Sequence, residues 1–252
     1  MKTIKIKWRG RGFGEQLILA WLTQILVDNG VDAVFNEKQR VKGLINCPIF
    51  DSEIHKNISN HRGDYTTIDI PLHLQHILKC EKYLNRKLKI TRNYIPVTFH
   101  EIPEIPAVDV VMCTRAGGWT PYRNWPYFNE LKKLFDNHRI SYVDLNANRI
   151  YNHECLNYVK RCKLYIGLDT GTSHYVSKFA NGKALILHSG FSPLKWAFTP
   201  YEYSFLSGGV YNCAPCWINK RHIKAGNECK FNHKCMKEIK PERVFDVALE
   251  YL

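Results

Sequence analysis

Nowhere in the 252 residues is there an apolar run approaching the ~18 to 20 that cross a bilayer. The opening stretch MKTIKIKWRG has no apolar core of the signal-peptide kind. These two absences lead to the expectation of a cytoplasmic chain. Internal repeats and low-complexity tracts are missing too. With 45% hydrophobic and 23% charged residues, no segment is poor enough in apolar content to predict disorder. Acidic residues are the scarce class: 23 Asp and Glu stand against 36 Lys and Arg, for a formal charge of +13. Such a field draws anionic partners, and nucleic acid, an acidic membrane surface and a sugar nucleotide all qualify. A basic but inert surface is the plain alternative.

There are nine cysteines. Without a secretion signal they argue for thiols or metal ligands before disulfides. Cys47, Cys80, Cys113, Cys155 and Cys162 sit among apolar neighbours and read as small buried hydrophobes. Cys213, Cys216, Cys229 and Cys235 are spaced C-x2-C-x12-C-x5-C, close to a zinc ribbon although the final gap is wide. A structural zinc site is one reading of that cluster. Two disulfides or four free thiols together weigh about as much.

The chain is long enough for two lobes. TIKIKW at 3 to 8 alternates as a strand does, a glycine loop follows, and EQLILAWLTQILVDNG carries helical periodicity until Asn29-Gly30 stops it. Strands are expected at 31–36 and 65–71, and a helix at 73–84. Pro103 and Pro106 interrupt the pattern, placing the boundary between an N-terminal lobe, 1–107, and a C-terminal lobe, 108–252. Beyond it the pattern predicts strands at 108–114, 140–145, 163–169 and 183–188, alternating with helices at 125–137, 151–161 and 172–181. Strands and helices linked in this way form parallel sheets with right-handed crossovers. The fold class is therefore α/β, with two Rossmann-like lobes binding ligands between the carboxyl ends of their strands.

Three places could carry chemistry. KWRGRGFGEQLI at 7–18 is a dinucleotide cradle, a tight bend or the seat of a catalytic base. YIGLDTGTSHYVSKFANGKALILH ends a buried strand at Asp169 and starts a helix capped within Thr170–Ser173. Gly171 lets the backbone approach a ligand there, and the first-turn amides favour an anion, unless the segment is only an ordinary capped helix. His188, Ser189 and Gly190 lie at the next strand end, where ligand contact and simple turn chemistry weigh equally.

The run Asp169-x-Gly171-x-x-His174, with its flanks, resembles glycosyltransferase family nine, the heptosyltransferase-like enzymes of the GT-B fold. CTRAGGWTPYRNWPYFNELKKLF at 113–135 is similar to that family's first strand and helix of the second lobe. Thr114 and Arg115 stand at the strand end, and Arg123 stands where a lysine is usual. CAPC at 213–216 and CMKEIKPERVFDVALEYL at 235–252 resemble the family's ending. The resemblance is good over 108–252 and weaker over 1–107, where the lobe is also shorter than usual.

The resemblance implies two facing lobes, with a nucleotide sugar held mainly by the second and an acceptor by the first. Asp169 and His174 would hold the donor. In the family the first glycine loop reads Gly-x-Gly-Asp and faces the acceptor, so the dinucleotide reading falls away. Glu15 stands where the aspartate would, keeping a carboxylate with one more methylene. An inverting transfer needs a base for the acceptor hydroxyl, and Glu15 is the candidate. Its other reading is a first-turn acid on the helix dipole. Gly12, Phe13 and Gly14 form the acceptor side of the loop. Arg9 and Arg11 contact acceptor or phosphate, or are solvated charges.

Charge growing on the leaving diphosphate would be met by the amides of Gly171 and Thr172, beside Thr170, and by Arg115 and Arg123. The chain has no Asp-x-Asp pair, which fits metal-independent transfer with no catalytic cofactor. Family precedent suggests a lipopolysaccharide core sugar as acceptor, yet residues 15–29 look like core rather than a membrane-docking helix. The competing acceptor is a hydroxymethylated base, 5-hydroxymethylcytosine, in phage DNA, extruded into the cleft and reached in the host cytoplasm. The short first lobe, the positive charge, and Arg62, Tyr65, Arg92 and Tyr94 as residues able to grip a strand favour DNA narrowly. A noncatalytic basic nucleic-acid-binding protein on the same fold is the reading from a different class.

Overall fold

The computed structural model describes residues 3–7, 22–35, 65–69, 75–89, 105–116, 123–150, 152–168, 170–176, 183–189, 203–207, 229 and 231–252. Two parallel sheets organise them. The first has three strands, β1 (Thr3–Lys7), β2 (Ala33–Phe35) and β3 (Tyr65–Asp69), in the order β2-β1-β3. Ile4 pairs with Ala33 on one side and Thr66 on the other. Helix α1, over residues 22–28, buries Leu22, Ile25 and Leu26 completely. It stops at Asn29 and Gly30, and Gly30 adopts the left-handed φ of 70° that glycine tolerates.

Asn29 also ties this unit to the residues after α2 (Gln75–Leu84). Its side chain donates to the carbonyls of Ile25 and Lys89 and accepts from the Lys89 amide. Glu81 receives the Leu88 amide and the Lys87 ammonium, and these hold its carboxyl below the usual range.

The second sheet has five strands: β4 (Val110–Cys113), β5 (Tyr142–Asp144), β6 (Leu164–Leu168), β7 (Ala184–His188) and β8 (Tyr203–Ser207). All pair in parallel, in the order β5-β4-β6-β7-β8. Every residue of β4, β6 and β7 is buried, as befits central parallel strands covered on both faces. Strand β8 lies beyond the last strand that the sequence pattern marked.

Helix α3 (Phe128–Asn137) buries Phe128, Leu131 and Phe135, an i, i+3, i+7 stripe with charge on its other face. It begins after Trp125 and a turn through Pro126, three residues later than the pattern suggested. Arg139, with φ 57°, ends it. Helix α4 (Asn152–Arg161) links β5 to β6. Helix α5 (Gly171–Tyr175) follows β6, and the rest of the helix expected at 172–181 lies outside the described residues beyond 176. The chain ends in α6 (Lys234–Lys237) and α7 (Pro241–Leu249), with Pro241 at a helix-opening position.

Helix α7 packs Val244, Phe245 and Ala248 onto α3, with Phe245 and Phe135 rings 5.8 Å apart. The Trp125 indole donates to the Ile239 carbonyl at 2.9 Å and packs edge-on against Phe128. Each fully buried Leu or Phe here contributes roughly 1.5–3 kcal/mol of transfer free energy. At the amino ends of the strands, Asp109 accepts from the Ser141 amide and hydroxyl and pairs with Lys163. Lys163 and Ser141 bring the Asp109 carboxyl down to about 2.

Candidate functional site

The chain runs from β4 outward to β5, then returns across β4 to β6. Connections on the two sides of the β4–β6 boundary therefore leave in opposite directions, the arrangement that in open α/β sheets leaves a crevice outside the carboxyl ends of the strands. Cys113, Thr114 and Arg115 border it from β4, and Thr170 borders it from β6. A hydrogen bond from Thr170 Oγ1 to Cys113 Sγ, 3.8 Å long, spans the boundary.

The β4–β5 wall is organised by Asp144. Its Oδ1 accepts from Thr114 Oγ1 at 3.0 Å and from the amides of Asn146 and Ala147 at 2.9 and 3.1 Å. Lys132 Nζ reaches its Oδ2 at 2.5 Å. Burial acts to raise the Asp144 carboxyl, and the donors from Lys132, Ala147 and Thr114 outweigh it, so the group lies below its ordinary value. Asn146 Oδ1 accepts the Arg115 amide at 2.9 Å, and Asn124 Oδ1 accepts the Ala116 amide at 2.7 Å. The strand end is thus a fixed loop with the exposed Arg115 on it.

The β6 side is held from beneath. Thr170 has extended backbone and caps α5, its side chain accepting from the Ser173 amide. Ser173 Oγ donates to the Leu168 carbonyl and lies 3.1 Å from the Tyr165 hydroxyl. Tyr165 is fully buried, and burial pushes its phenol well above the usual value. A Cβ built on Gly167 would lie 2.3 Å from that phenolic oxygen, so only glycine leaves room for the tyrosine. Thr172 Oγ1 lies 3.8 Å from Cys155 Sγ.

At the end of β7, His188 is completely buried, and Ser189 just after it is nearly so. Burial, reinforced by the charge of Arg123, brings His188 down to about 3, so it is neutral at ordinary pH. Arg123 is itself buried, at 8% exposure. A guanidinium withdrawn from water in this way places fixed positive charge close to the strand ends. Ser189 Oγ is buried with no hydrogen-bond partner among the described residues.

The structure thus gathers Thr114, Arg115, Thr170, Gly171 and Thr172 at one crevice, and sets Arg123 against His188 of the same sheet. The Thr114 hydroxyl proton points to Asp144 Oδ1 at 3.0 Å and Asn146 Oδ1 at 3.4 Å, leaving that oxygen's lone pairs for any further contact. His174 falls on α5. Arg9, Arg11, Gly12, Phe13, Gly14 and Glu15 lie outside the described residues, as do Asp169, Gly190, Arg62, Arg92, Tyr94, Cys47, Cys213 and Cys216. Of the four clustered cysteines, Cys229 and Cys235 are described; both are half-buried, and Cys229 Sγ accepts the Phe231 amide at 3.4 Å. Among the described residues no group of three or more His, Cys, Asp or Glu could hold a metal ion. No helix of the described residues is long and apolar enough to cross a membrane. Sequence reasoning missed Asp144, Asn146, Lys132 and Tyr165. An acid at the end of a strand, in SYVDLNAN, was the signal available for the first.

No protein-family model and no curated protein sequence matches the chain. Solved structures do. The iron-containing dodecameric glycosyltransferase TibC from enterotoxigenic E. coli H10407 superposes with a TM-score of 0.69 at 11% identity, over 99% of this chain and 75% of that one. A glycosyl transferase family 9 protein from Veillonella parvula DSM 2008 gives a TM-score of 0.59 at 12% identity, over 99% and 97%. The ADP-heptose LPS heptosyltransferase II of E. coli gives 0.56 at 11% identity, over 99% and 98%. At these identities the likeness shows a shared fold, that of heptosyltransferase-like glycosyltransferases.

Proposed function

We propose that the protein is an inverting glycosyltransferase of two GT-B lobes that binds a nucleoside diphosphate sugar at the β4–β6 crevice. The observation carrying this reading is the meeting, at the switch point of a 2-1-3-4-5 sheet, of the Thr114–Arg115 strand end with the Thr170–Thr172 turn. The segment between β4 and α3 adds the buried Arg123, close enough to lower His188. The fold shared with glycosyltransferases supports it, one of them solved with ADP-D-beta-D-heptose.

In the reaction the acceptor hydroxyl oxygen attacks the anomeric carbon as the bond to the diphosphate oxygen breaks. The hydroxyl proton passes to the Glu15 carboxylate, and the electron pair of the broken bond stays on the diphosphate. Arg115 and Arg123 meet that charge, with the amides of Gly171 and Thr172, while Asp169 and His174 orient the donor. Arg9, Arg11, Gly12, Phe13 and Gly14 face the acceptor.

The likeness to an LPS heptosyltransferase supports a carbohydrate acceptor of the lipopolysaccharide-core type, and we place this ahead of the hydroxymethylated DNA base. The charge of +13 is what keeps DNA as the second reading, since both acceptors are polyanions. A purely nucleic-acid-binding protein would leave the built crevice without a use. Cys213, Cys216, Cys229 and Cys235 would form a structural metal site with no part in the chemistry, taking zinc or, given the iron-containing neighbour, iron.

The test is calorimetric titration of the full chain with ADP, UDP and ADP-heptose, followed by transfer assays on lipopolysaccharide core and on hydroxymethylated DNA. Glu15→Gln should lower turnover by about 100-fold or more while leaving ADP affinity unchanged. Retained turnover in that variant removes Glu15 as the base, and absence of any nucleotide affinity in the unaltered chain removes the enzyme reading.

A further inference from the structure

We infer that the Tyr165 hydroxyl is a positioning group for the donor side of the crevice, acting through Ser173. The inference rests on the donor reading above and adds to it a residue that touches no substrate.

Proton accounting fixes the direction of the network. Ser173 Oγ has one proton, and the Leu168 carbonyl takes it. Tyr165 must therefore donate to Ser173 Oγ across their 3.1 Å contact. The Ser173 amide donates in turn to Thr170 Oγ1, and Thr170 donates to Cys113 Sγ at 3.8 Å on the far side of the boundary. Two chains of hydrogen bonds thus meet at Ser173, one from Tyr165 through Ser173 Oγ to the Leu168 carbonyl and one from the Ser173 amide through Thr170 to Cys113 at the end of β4, with Thr170 Oγ1 also 3.4 Å from Ser173 Oγ.

Two further observations separate this arrangement from ordinary filling of the core. The neighbouring central strand positions are aliphatic, and an aliphatic residue at 165 would fill space without needing a buried partner. Instead a phenol is used, and its accommodation requires a glycine two residues on: any Cβ at Gly167 would sit 2.3 Å from the phenolic oxygen. Tyr165 and Gly167 thus form a matched pair whose product is a hydroxyl under Ser173. Ser173, itself 1% exposed, cannot answer to solvent and takes its orientation from these partners. With the hydroxyl removed, Ser173 keeps its bond to Leu168 and its 3.4 Å approach to Thr170 Oγ1 but loses the hydrogen bond from Tyr165. The Thr170–Thr172 turn then samples orientations that no longer face a diphosphate.

Tyr165→Phe keeps the ring and its packing and removes only the O–H. ADP titration of the full chain should show affinity about five- to tenfold weaker in this variant, the scale of one hydrogen bond. The KM for donor should rise in step, with kcat and the acceptor KM unchanged. In a double-mutant cycle, Tyr165→Phe with Ser173→Ala should bind ADP no more weakly than Ser173→Ala alone. If the unaltered chain binds neither ADP nor UDP, the donor reading fails and takes this inference with it. If the unaltered chain binds and Tyr165→Phe binds equally well, the inference alone is overturned, even where melting temperature falls. Additive losses in the cycle would likewise overturn action through Ser173.

Discussion

At the scale of single residues, two groups at opposite ends of the second sheet's strands both make stability fall as pH falls, each in its own window. His188 is drawn down from 6.5 to about 3 by burial and by Arg123. Between those values the unfolded chain takes up a proton that the folded protein refuses, so stability falls as pH falls through this window and levels off below about 3. Replacing His188 by glutamine should flatten that slope in melting temperature against pH, whatever its effect on absolute stability. A variant as steep as the unaltered chain between pH 6.5 and 3 would remove His188 as the source. Asp109 acts lower, its contribution present above 3.8 and lost on approach to about 2. Neither environment was legible in the sequence, because both depend on residues brought in from other strands. What could be read was the type of residue at each strand end: Thr114, Arg115, Thr170 and His188 all sit where periodicity ran out. Tyr165 was invisible in this sense, since a tyrosine in a buried strand looks like any large apolar residue until Gly167 and Ser173 are seen around it.

At the scale of elements, most of the second sheet was legible because its strands are short continuous apolar runs between helices of clear period. Strand β4 was expected at 108–114 and spans Val110–Cys113; β6 was expected at 163–169 and spans Leu164–Leu168. The ends moved inward because the flanking residues serve the loops: Asp109 binds Ser141, and Thr170 caps a helix. Strand β8, YSFLS, escaped because its tyrosine, phenylalanine and two serines show neither continuous apolarity nor clean alternation. The element around α6 carries its own prediction. Asn232 and His233 both hold positive φ, a tight bend that presents the Cys229 and Cys235 segment compactly. With Cys213 and Cys216 completing the set, purified protein should contain about one zinc or iron per chain by elemental analysis. Chelation should lower the melting temperature, and Cys235→Ser should lose the metal. Metal-free protein of unchanged stability would return the cluster to thiols or disulfides.

For the molecule as a whole, the excess of 13 positive charges acts over distances that a single contact does not. A phosphorylated acceptor should be drawn in by that field, and its KM should rise about threefold or more between low and physiological salt. DNA would respond more steeply, through release of counterions along its backbone. A flat salt response for both would separate the charge from acceptor binding. The closure of the second sheet has a different reach. Trp125 finds its carbonyl partner at Ile239, 114 positions along the chain, and Phe135 waits for Phe245. During synthesis, the α3 side of this sheet therefore lacks its α7 cover until all five of its described strands have been made. Nascent chains halted before residue 239 would present a greasy, unclosed half-domain, the kind of surface to which chaperones attach.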